Sequence, residues 1–154
     1  MNETRLKKMI PFIALGIFSG ALLFTCIRFI TLSQRSRAVF YFDSYDSEKK
    51  CMESRYLYNG TDEEDIELFI SEFLLGPMTN RLKNPFPAGT KLEFCTGSDD
   101  GLHVGLSKEA LLVTEETYNI RENVELLKYN IVKNFTNVNK IFVYIDGKSI
   151  SFES

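Results

Sequence analysis

The sequence predicts an α+β fold, in which helices lie on one face of a mixed or mostly antiparallel sheet after an N-terminal transmembrane helix. Three observations support this prediction: one long uncharged stretch near the N terminus, several short segments with strand-type alternation, and two segments with helical periodicity between them. The 154 residues are enough for one globular domain in addition to the N-terminal stretch. With 44% hydrophobic and 25% charged residues, the chain is typical of a globular protein rather than a disordered one.

Charge is divided unevenly along the chain. Residues 1–37 contain six basic side chains and one acidic side chain, whereas the remainder contains 12 basic and 20 acidic side chains. The net charge of −3 and the lack of a basic stripe argue against a nucleic-acid partner, which would need lysines and arginines to neutralise phosphates. One histidine and three widely spaced cysteines argue against a zinc site, so we expect no metal and no other cofactor.

The N-terminal stretch has the length of a transmembrane helix. Residues 9–27 are uncharged, and after Arg28 the sequence is again apolar up to residue 32, apart from Thr31. About 20 apolar residues in a helix cross a hydrocarbon core about 30 Å thick. We therefore expect a short tail at residues 1–8, a transmembrane anchor at 9–32, a polar stalk at 33–38 and a soluble domain at 39–154.

The sequence leaves alternatives open for the fate of this stretch. An uncleaved signal anchor fits best, while a cleaved signal peptide and a lipoprotein cleaved before Cys26 are the alternatives. Three basic residues precede the uncharged run and three follow it up to residue 37, so the positive-inside rule gives almost a tie. The early basic residues favour a cytoplasmic N terminus. The expected location is therefore the cell membrane, with a single pass and an extracytoplasmic C-terminal domain.

The soluble domain begins with two short strands and a helix. Strand-forming residues at 39–42 and 55–58 are predicted to pair as an antiparallel hairpin. Thr61 and Glu64 form the capping-box pattern that starts a helix, and apolar residues then recur at helical spacing until Gly76. The acidic residues of the first turn suit the positive end of the helix dipole, so we interpret them as helix-stabilising and not as metal ligands.

The second half of the domain adds two hairpins and a second helix. A strand at 90–96, in which Leu92 and Phe94 alternate with polar residues, is joined by an Asp-Gly turn to a strand at 102–106. The remaining predicted segments are a short connection at 107–114, a helix at 120–135 and strands at 140–146 and 149–152.

The sequence contains no recognisable catalytic constellation. His103, the sole imidazole, lies on the side of its predicted strand opposite Leu102 and Val104, and no motif supplies a nucleophile or an orienting acid for it. We therefore expect a surface or half-buried structural histidine in a protein that is not an enzyme. Cys51 and Cys95 would lie outside the cytoplasm, and their spacing permits a disulfide without indicating one.

Several segments of the domain resemble the GerM domain, also written GerMN. They are Leu-Leu-Gly-Pro at 74–77, Pro-Phe-Pro-Ala-Gly-Thr-Lys-Leu at 85–92, Gly-Leu-His-Val-Gly-Leu-Ser at 101–107 and the strand ending in Asp-Gly at 138–147. Their order and spacing resemble the family over residues 39–152, although Gly105 stands where the family usually has aspartate. The resemblance implies an extracytoplasmic module, tied in spore formers to sporulation and germination and similar to ring-building motifs of envelope assemblies. It implies no catalytic residues.

These observations favour a membrane-anchored envelope module that works by protein–protein assembly, with envelope proteins or further copies of itself as partners. Phe142 and Tyr144 lie opposite the predicted core side of their strand, so they are the candidate interface residues unless the first strands or a polar loop cover them. The main alternative is a module that binds a cell-wall polymer, with Tyr41, Tyr56, Tyr58 and Tyr144 as candidate contacts. An envelope hydrolase is the weaker alternative.

Overall fold

A computed structural model of the chain describes residues 3–32, 35–112 and 119–150. The chain divides after residue 34 into two compact units, which are an N-terminal helix and a folded domain. The helix, α1, extends over Glu3–Leu32 and contains a 19-residue segment, Pro11–Phe29, with a mean hydropathy of 2.0 and no burial. This segment is long and apolar enough to cross a membrane, a property that it shares with N-terminal signal sequences.

The folded domain starts with a two-stranded sheet and a helix. Strand β1 (Arg35–Asp43) pairs in antiparallel fashion with β2 (Lys50–Tyr58), as the sequence predicts. The helix α2 (Asp62–Leu74) follows, and its apolar side packs on this sheet.

A second sheet contains the other four strands. Its order is β3 (Leu92–Ser98), β4 (Gly101–Leu106), β5 (Ile141–Ile145) and β6 (Lys148–Ser149). Strands β4 and β5 pair in parallel, which requires a crossover connection, and the helix α3 (Ile120–Asn134) lies in that crossover. The other neighbouring strands of this sheet pair in antiparallel fashion. The predicted α+β class is confirmed, with the difference that the first hairpin forms a sheet of its own.

Strand β1 begins four residues earlier than the sequence predicts. The polar stalk was expected at 33–38, but Arg35 already pairs with Tyr58 of β2. Arg37 then donates hydrogen bonds from Nε and Nη2 to Ser54 Oγ, at 3.1 and 2.9 Å. The strand therefore replaces most of the predicted stalk. The sequence does not reveal the early start of β1, because a solvent-exposed strand end carries the same polar residues as a stalk.

The predicted capping box of α2 is confirmed. The Thr61 N–H donates to Glu64 Oε2 at 2.8 Å, and the Glu64 N–H donates to Thr61 Oγ1 at 3.4 Å. Beyond the C-terminal end of the helix, Gly76 adopts a φ of +82°, a conformation that favours glycine and terminates the helix.

The core of the domain is centred on stacked phenylalanine rings between β1 and α2. The rings of Phe40 and Phe69 have centroids 4.5 Å apart, and those of Phe42 and Phe73 have centroids 5.3 Å apart. All four side chains are fully buried. The same apolar cluster continues into α3 and the second sheet, so one core unites the described parts of the domain.

Two asparagine side chains of α3 close the outer edge of β1. Asn130 accepts a hydrogen bond from the Tyr41 N–H at 2.7 Å and donates one to the Tyr41 carbonyl at 2.9 Å. Asn134 accepts from the Val39 N–H at 3.0 Å and donates to the Val39 carbonyl at 2.8 Å. These side-chain amides take the place of a neighbouring strand and fasten α3 to β1.

The remaining predicted segments differ from the structure mainly at their ends. A short 3-10 helix, Lys108–Leu111, occupies the connection predicted at 107–114, of which residues 113–114 lie outside the described residues. The strand predicted at 149–152 is described only as far as residue 150, and β6 ends at Ser149.

Candidate functional site: an aromatic sheet face

Side-chain alternation gives β4 and β5 one buried face and one open face. The buried side chains are those of Leu102, Val104, Leu106, Val143 and Ile145. Between them, His103, Phe142 and Tyr144 lie on the opposite face of the sheet, as the alternation predicts. The expectation of a half-buried His103 is confirmed.

Four ring side chains form a continuous surface on the open side, which we term the aromatic face: Phe94 of β3, His103 of β4, and Phe142 and Tyr144 of β5. His103 stacks on Phe142 with ring centroids 4.9 Å apart and an interplanar angle of 17°. The Tyr144 ring lies 5.8 Å from the His103 ring and 5.7 Å from the Phe94 ring. Phe94 and Phe142 are 39% and 36% exposed, so the rest of the described domain leaves this face accessible.

Hydrogen bonds fix the His103 ring within the aromatic face. Its Nε2 lies 3.0 Å from Asp100 Oδ1, and its Nδ1 lies 3.1 Å from the Tyr144 hydroxyl. Because a carboxylate can only accept, a neutral His103 donates from Nε2 to Asp100 and accepts at Nδ1 from Tyr144. Hydrogen bonds from Ser98 and His103 lower the pKa of Asp100 to about 2, so this carboxylate is charged at neutral pH.

The partners of His103 correct one expectation from the sequence. No sequence motif indicates an orienting acid, whereas the β3–β4 turn brings Asp100 to one ring nitrogen. The second nitrogen is already occupied by Tyr144, and phenylalanine rings flank the group. Tyr144, His103 and Asp100 therefore form one hydrogen-bonded row that fixes the orientation of the His103 ring.

Phe94 reaches the aromatic face because β3 is irregular. The register of β3 on β4 shifts between Leu92 and Phe94, so Leu92 packs against the core while Phe94 lies outside. The sequence pattern gave both residues the same role in one alternating strand, and this assignment is wrong because of the bulge. The Phe94 ring covers Gly105, where an added Cβ would lie 2.1 Å from ring carbon Cε1. Glycine at this position therefore lets the ring lie on the sheet.

The tyrosines considered for polymer binding do not share one surface. Tyr41 packs edge-on against Tyr129 of α3, with ring centroids 5.3 Å apart. Tyr56 and Tyr58 are exposed on β2. Tyr144 belongs to the other sheet, where it is part of the aromatic face. These four side chains are therefore divided between the two sheets.

A cavity of about 210 Å³ lies between the first turn of α2 and the β3–β4 hairpin, with Asp62, Glu63 and Cys95 among its lining. Burial raises the pKa of the Cys95 thiol to about 11, and neighbouring glutamates add to the effect, so this thiol is protonated at neutral pH. Cys26, Cys51 and Cys95 are free, and no group of three potential metal ligands comes together among the described residues. The cavity therefore offers no activated thiol.

The fold is that of a small α+β domain with one open aromatic sheet face. The model of the Germane family, described as sporulation and spore germination, matches residues 39–151. The match includes most of the chain, and the chain belongs to this family.

Solved structures have the same fold. The tandem GerMN domains of the sporulation protein GerM from Bacillus subtilis align with a TM-score of 0.57 and 15% identity, over 76% of this chain and 41% of that chain. The first GerMN domain of the same protein aligns with a TM-score of 0.56 and 15% identity, over 75% of this chain and 86% of that chain. At this identity the likeness shows the fold, and this chain spans less than half of the tandem structure. No curated protein is detectably similar to this chain in sequence.

Proposed function

We propose that this chain is a membrane-anchored, extracytoplasmic module that acts without catalysis in the assembly of envelope proteins. Its membership of a family described as sporulation and spore germination supports a role in building a cell envelope. The observation that carries the proposal is the aromatic face, which is accessible, largely apolar and fixed by hydrogen bonds. Exposed aromatic clusters of this kind are typical of surfaces that bind other proteins.

The rigidity of the aromatic face favours binding. His103 is held by stacking on Phe142 and by hydrogen bonds to Asp100 and Tyr144, so these rings lose little conformational freedom when a partner covers them. Asp100 adds a charged group beside the rings. A partner that suits this face would therefore have an apolar centre and a hydrogen-bond donor or a cation facing Asp100.

The N-terminal helix supports anchoring in the membrane. The segment Pro11–Phe29 is long and apolar enough to span a bilayer, and an anchor would concentrate copies and partners at one surface. Reporter fusions to the two ends test this part of the proposal. We expect an extracytoplasmic C terminus and a full-length protein in the membrane fraction, whereas a shortened soluble form would contradict the anchor.

Binding to a cell-wall polymer is the second candidate function, and the exposure of Tyr56 and Tyr58 favours it. Stacking of sugar rings on these tyrosines would be lost in a Tyr56→Ala/Tyr58→Ala variant. Sedimentation with purified wall material tests this alternative, and equal retention of the variant and the unchanged protein would exclude the two tyrosines as the binding site.

Chemical crosslinking in intact cells tests the assembly function. Phe142→Ala and Tyr144→Ala should each reduce the products crosslinked to other envelope proteins, because each removes a ring from the aromatic face. Val132→Ala, which shortens an exposed apolar side chain on α3, is the matched control and should leave the products unchanged. The absence of products crosslinked to other envelope proteins, or the survival of such products after both ring removals, would refute the proposal; a crosslinked dimer of this chain that survives them would not.

A further inference from the structure

The hydrogen bonds of β1 determine which backbone groups of β2 are unpaired. Val39 and Tyr41 direct their N–H and C=O groups to α3, so the intervening residues of β1 are the ones that bond to β2. Ser54 and Met52 lie opposite Val39 and Tyr41 in the register, and their backbone groups therefore point away from β1, as do those of Tyr56. Within residues 35–112 and 119–150, no backbone or side-chain group bonds to this outer edge.

Exposed apolar side chains flank the free edge of β2. Among the large apolar side chains of the described domain, the four with the greatest exposed fractions, 67–76%, are Met52, Tyr56, Leu75 and Met78. Two of them belong to β2, and the other two belong to the loop after α2. That loop is held against β2, because Arg55 donates to the Gly76 carbonyl at 2.6 Å and the Met78 N–H donates to Glu53 Oε2 at 2.9 Å.

We propose that a second copy of this chain occupies the edge, by antiparallel pairing of the two β2 strands about a two-fold axis at Ser54. Full overlap of the two nine-residue strands sets Ser54 opposite Ser54 of the second copy. The outward N–H and C=O groups of the two strands then meet as hydrogen-bonded pairs. The same register sets Met52 opposite Tyr56, so that exposed apolar side chains cover each other.

Charge selects the same register. Full overlap places Glu53 of each copy opposite Arg55 of the other, so the two side chains, which already form an ion pair within one chain at 2.6 Å, extend into an alternating cluster. A shift of two residues is the smallest that keeps the outward groups facing each other. In one direction it sets Glu53 against Glu53, and in the other it sets Arg55 against Arg55. Both shifted registers also shorten the overlap, so overlap and charge favour a single arrangement.

The proposed contact is separate from the aromatic face, which lies on the other sheet. It extends the proposed assembly function by naming one partner, a second copy, and the surface that binds it. The two surfaces share no residue, so a variant at one surface leaves the other intact. Failure of the proposed β2 contact can therefore be distinguished from failure of the proposed role of the aromatic face.

Disulfide trapping in membranes tests the contact with the full-length chain. The background carries Cys26→Ser, Cys51→Ser and Cys95→Ser, so that an introduced cysteine is the only thiol. Hydrogen-bonded residue pairs in antiparallel strands have Cα atoms about 5.5 Å apart, a separation that a disulfide spans. Ser54→Cys should therefore give a covalent dimer under mild oxidation. Ser36→Cys, at an exposed position of β1, should not.

A charge exchange tests the register. In the proposed arrangement residue 52 of one copy faces residue 56 of the other. Met52→Lys/Tyr56→Lys should therefore lower disulfide trapping through Ser54→Cys by about tenfold, because like charges then repel at two symmetry-related pairs. Met52→Lys/Tyr56→Glu differs in one side chain and should restore it, because opposite charges then face each other. Phe142→Ala should leave trapping unchanged.

Four results would overturn the inference. They are the absence of a dimer with Ser54→Cys, equal trapping with Ser36→Cys, equal trapping by the two charge variants, and loss of trapping with Phe142→Ala. A further outcome would point to a different occupant of the edge. If no dimer forms and Tyr56 is shielded from aqueous quenchers only when lipid is present, the edge of β2 contacts the membrane surface, and the inference is wrong.

Discussion

Removal of the Asn130 side chain is expected to destabilise the domain strongly. Asn130 is fully buried, and its amide is the partner of both the N–H and the C=O of Tyr41. An Asn130→Ala variant removes the partner of these two backbone groups, which lie in a partly buried position. Each unsatisfied buried group costs about 1–3 kcal/mol, so we expect a loss of about 2–6 kcal/mol in the free energy of unfolding. That is a large part of the roughly 5–15 kcal/mol typical of a domain.

Asn134→Ala is the matched control for this prediction. Asn134 makes the same pair of hydrogen bonds to Val39, but it is only half-buried, so water can replace much of what is lost. We expect a loss of about 1–2 kcal/mol. Urea unfolding of the full-length chain in detergent, followed by tyrosine fluorescence, measures both variants, because all seven tyrosines lie after residue 34 and the chain has no tryptophan. A loss below about 1 kcal/mol for Asn130→Ala, or one no larger than that for Asn134→Ala, would refute the reasoning.

Three further predictions concern the sheet face, the helix cap and acid stability. Gly105→Ala should destabilise the domain by about 1–3 kcal/mol in urea unfolding, because the new Cβ would overlap the Phe94 ring. Adding Phe94→Ala should recover part of the lost stability, and the absence of any recovery would contradict the contact. Thr61→Ala should cost about 1 kcal/mol by removing the cap of α2, and an unchanged urea midpoint would argue against the capping box. The pKa of Asp100 is lowered from 3.8 to about 2, so its contribution to stability is present above pH 3.8 and is lost as the pH falls towards 2. NMR titration should show this pKa rising in Ser98→Ala, and an unchanged value would contradict the assigned cause.

The sequence predicted α2 well because its signals are local. Thr61 and Glu64 are three residues apart, Gly76 lies just beyond the last turn, and the apolar spacing between them allows one buried side. The closure of β1 by Asn130 depends instead on a contact with Tyr41, 89 residues away. No sequence pattern indicates that an asparagine inside a helix will bond to a strand edge in place of a neighbouring strand. This part of the fold could therefore not be predicted from the sequence.

The aromatic face was predictable in part for the same reason. Strand alternation was enough to place Phe142 and Tyr144 opposite the core. The contact of Tyr144 with His103, 41 residues away, depends on the parallel pairing of β4 and β5, which the sequence did not specify. Phe94 was missed because a bulge changes the side of the sheet on which its side chain lies, and a bulge has no reliable signal in a single sequence.

Site-specific photocrosslinking at position 142 tests the proposed function most directly. A photoreactive phenylalanine analogue in place of Phe142 keeps a ring in the aromatic face and reports what covers it in intact cells. We predict a discrete product with an envelope protein from this position, and no such product from the same analogue in place of Val132 on α3. The absence of a product at position 142, or the same product from both positions, would contradict a binding role for the aromatic face.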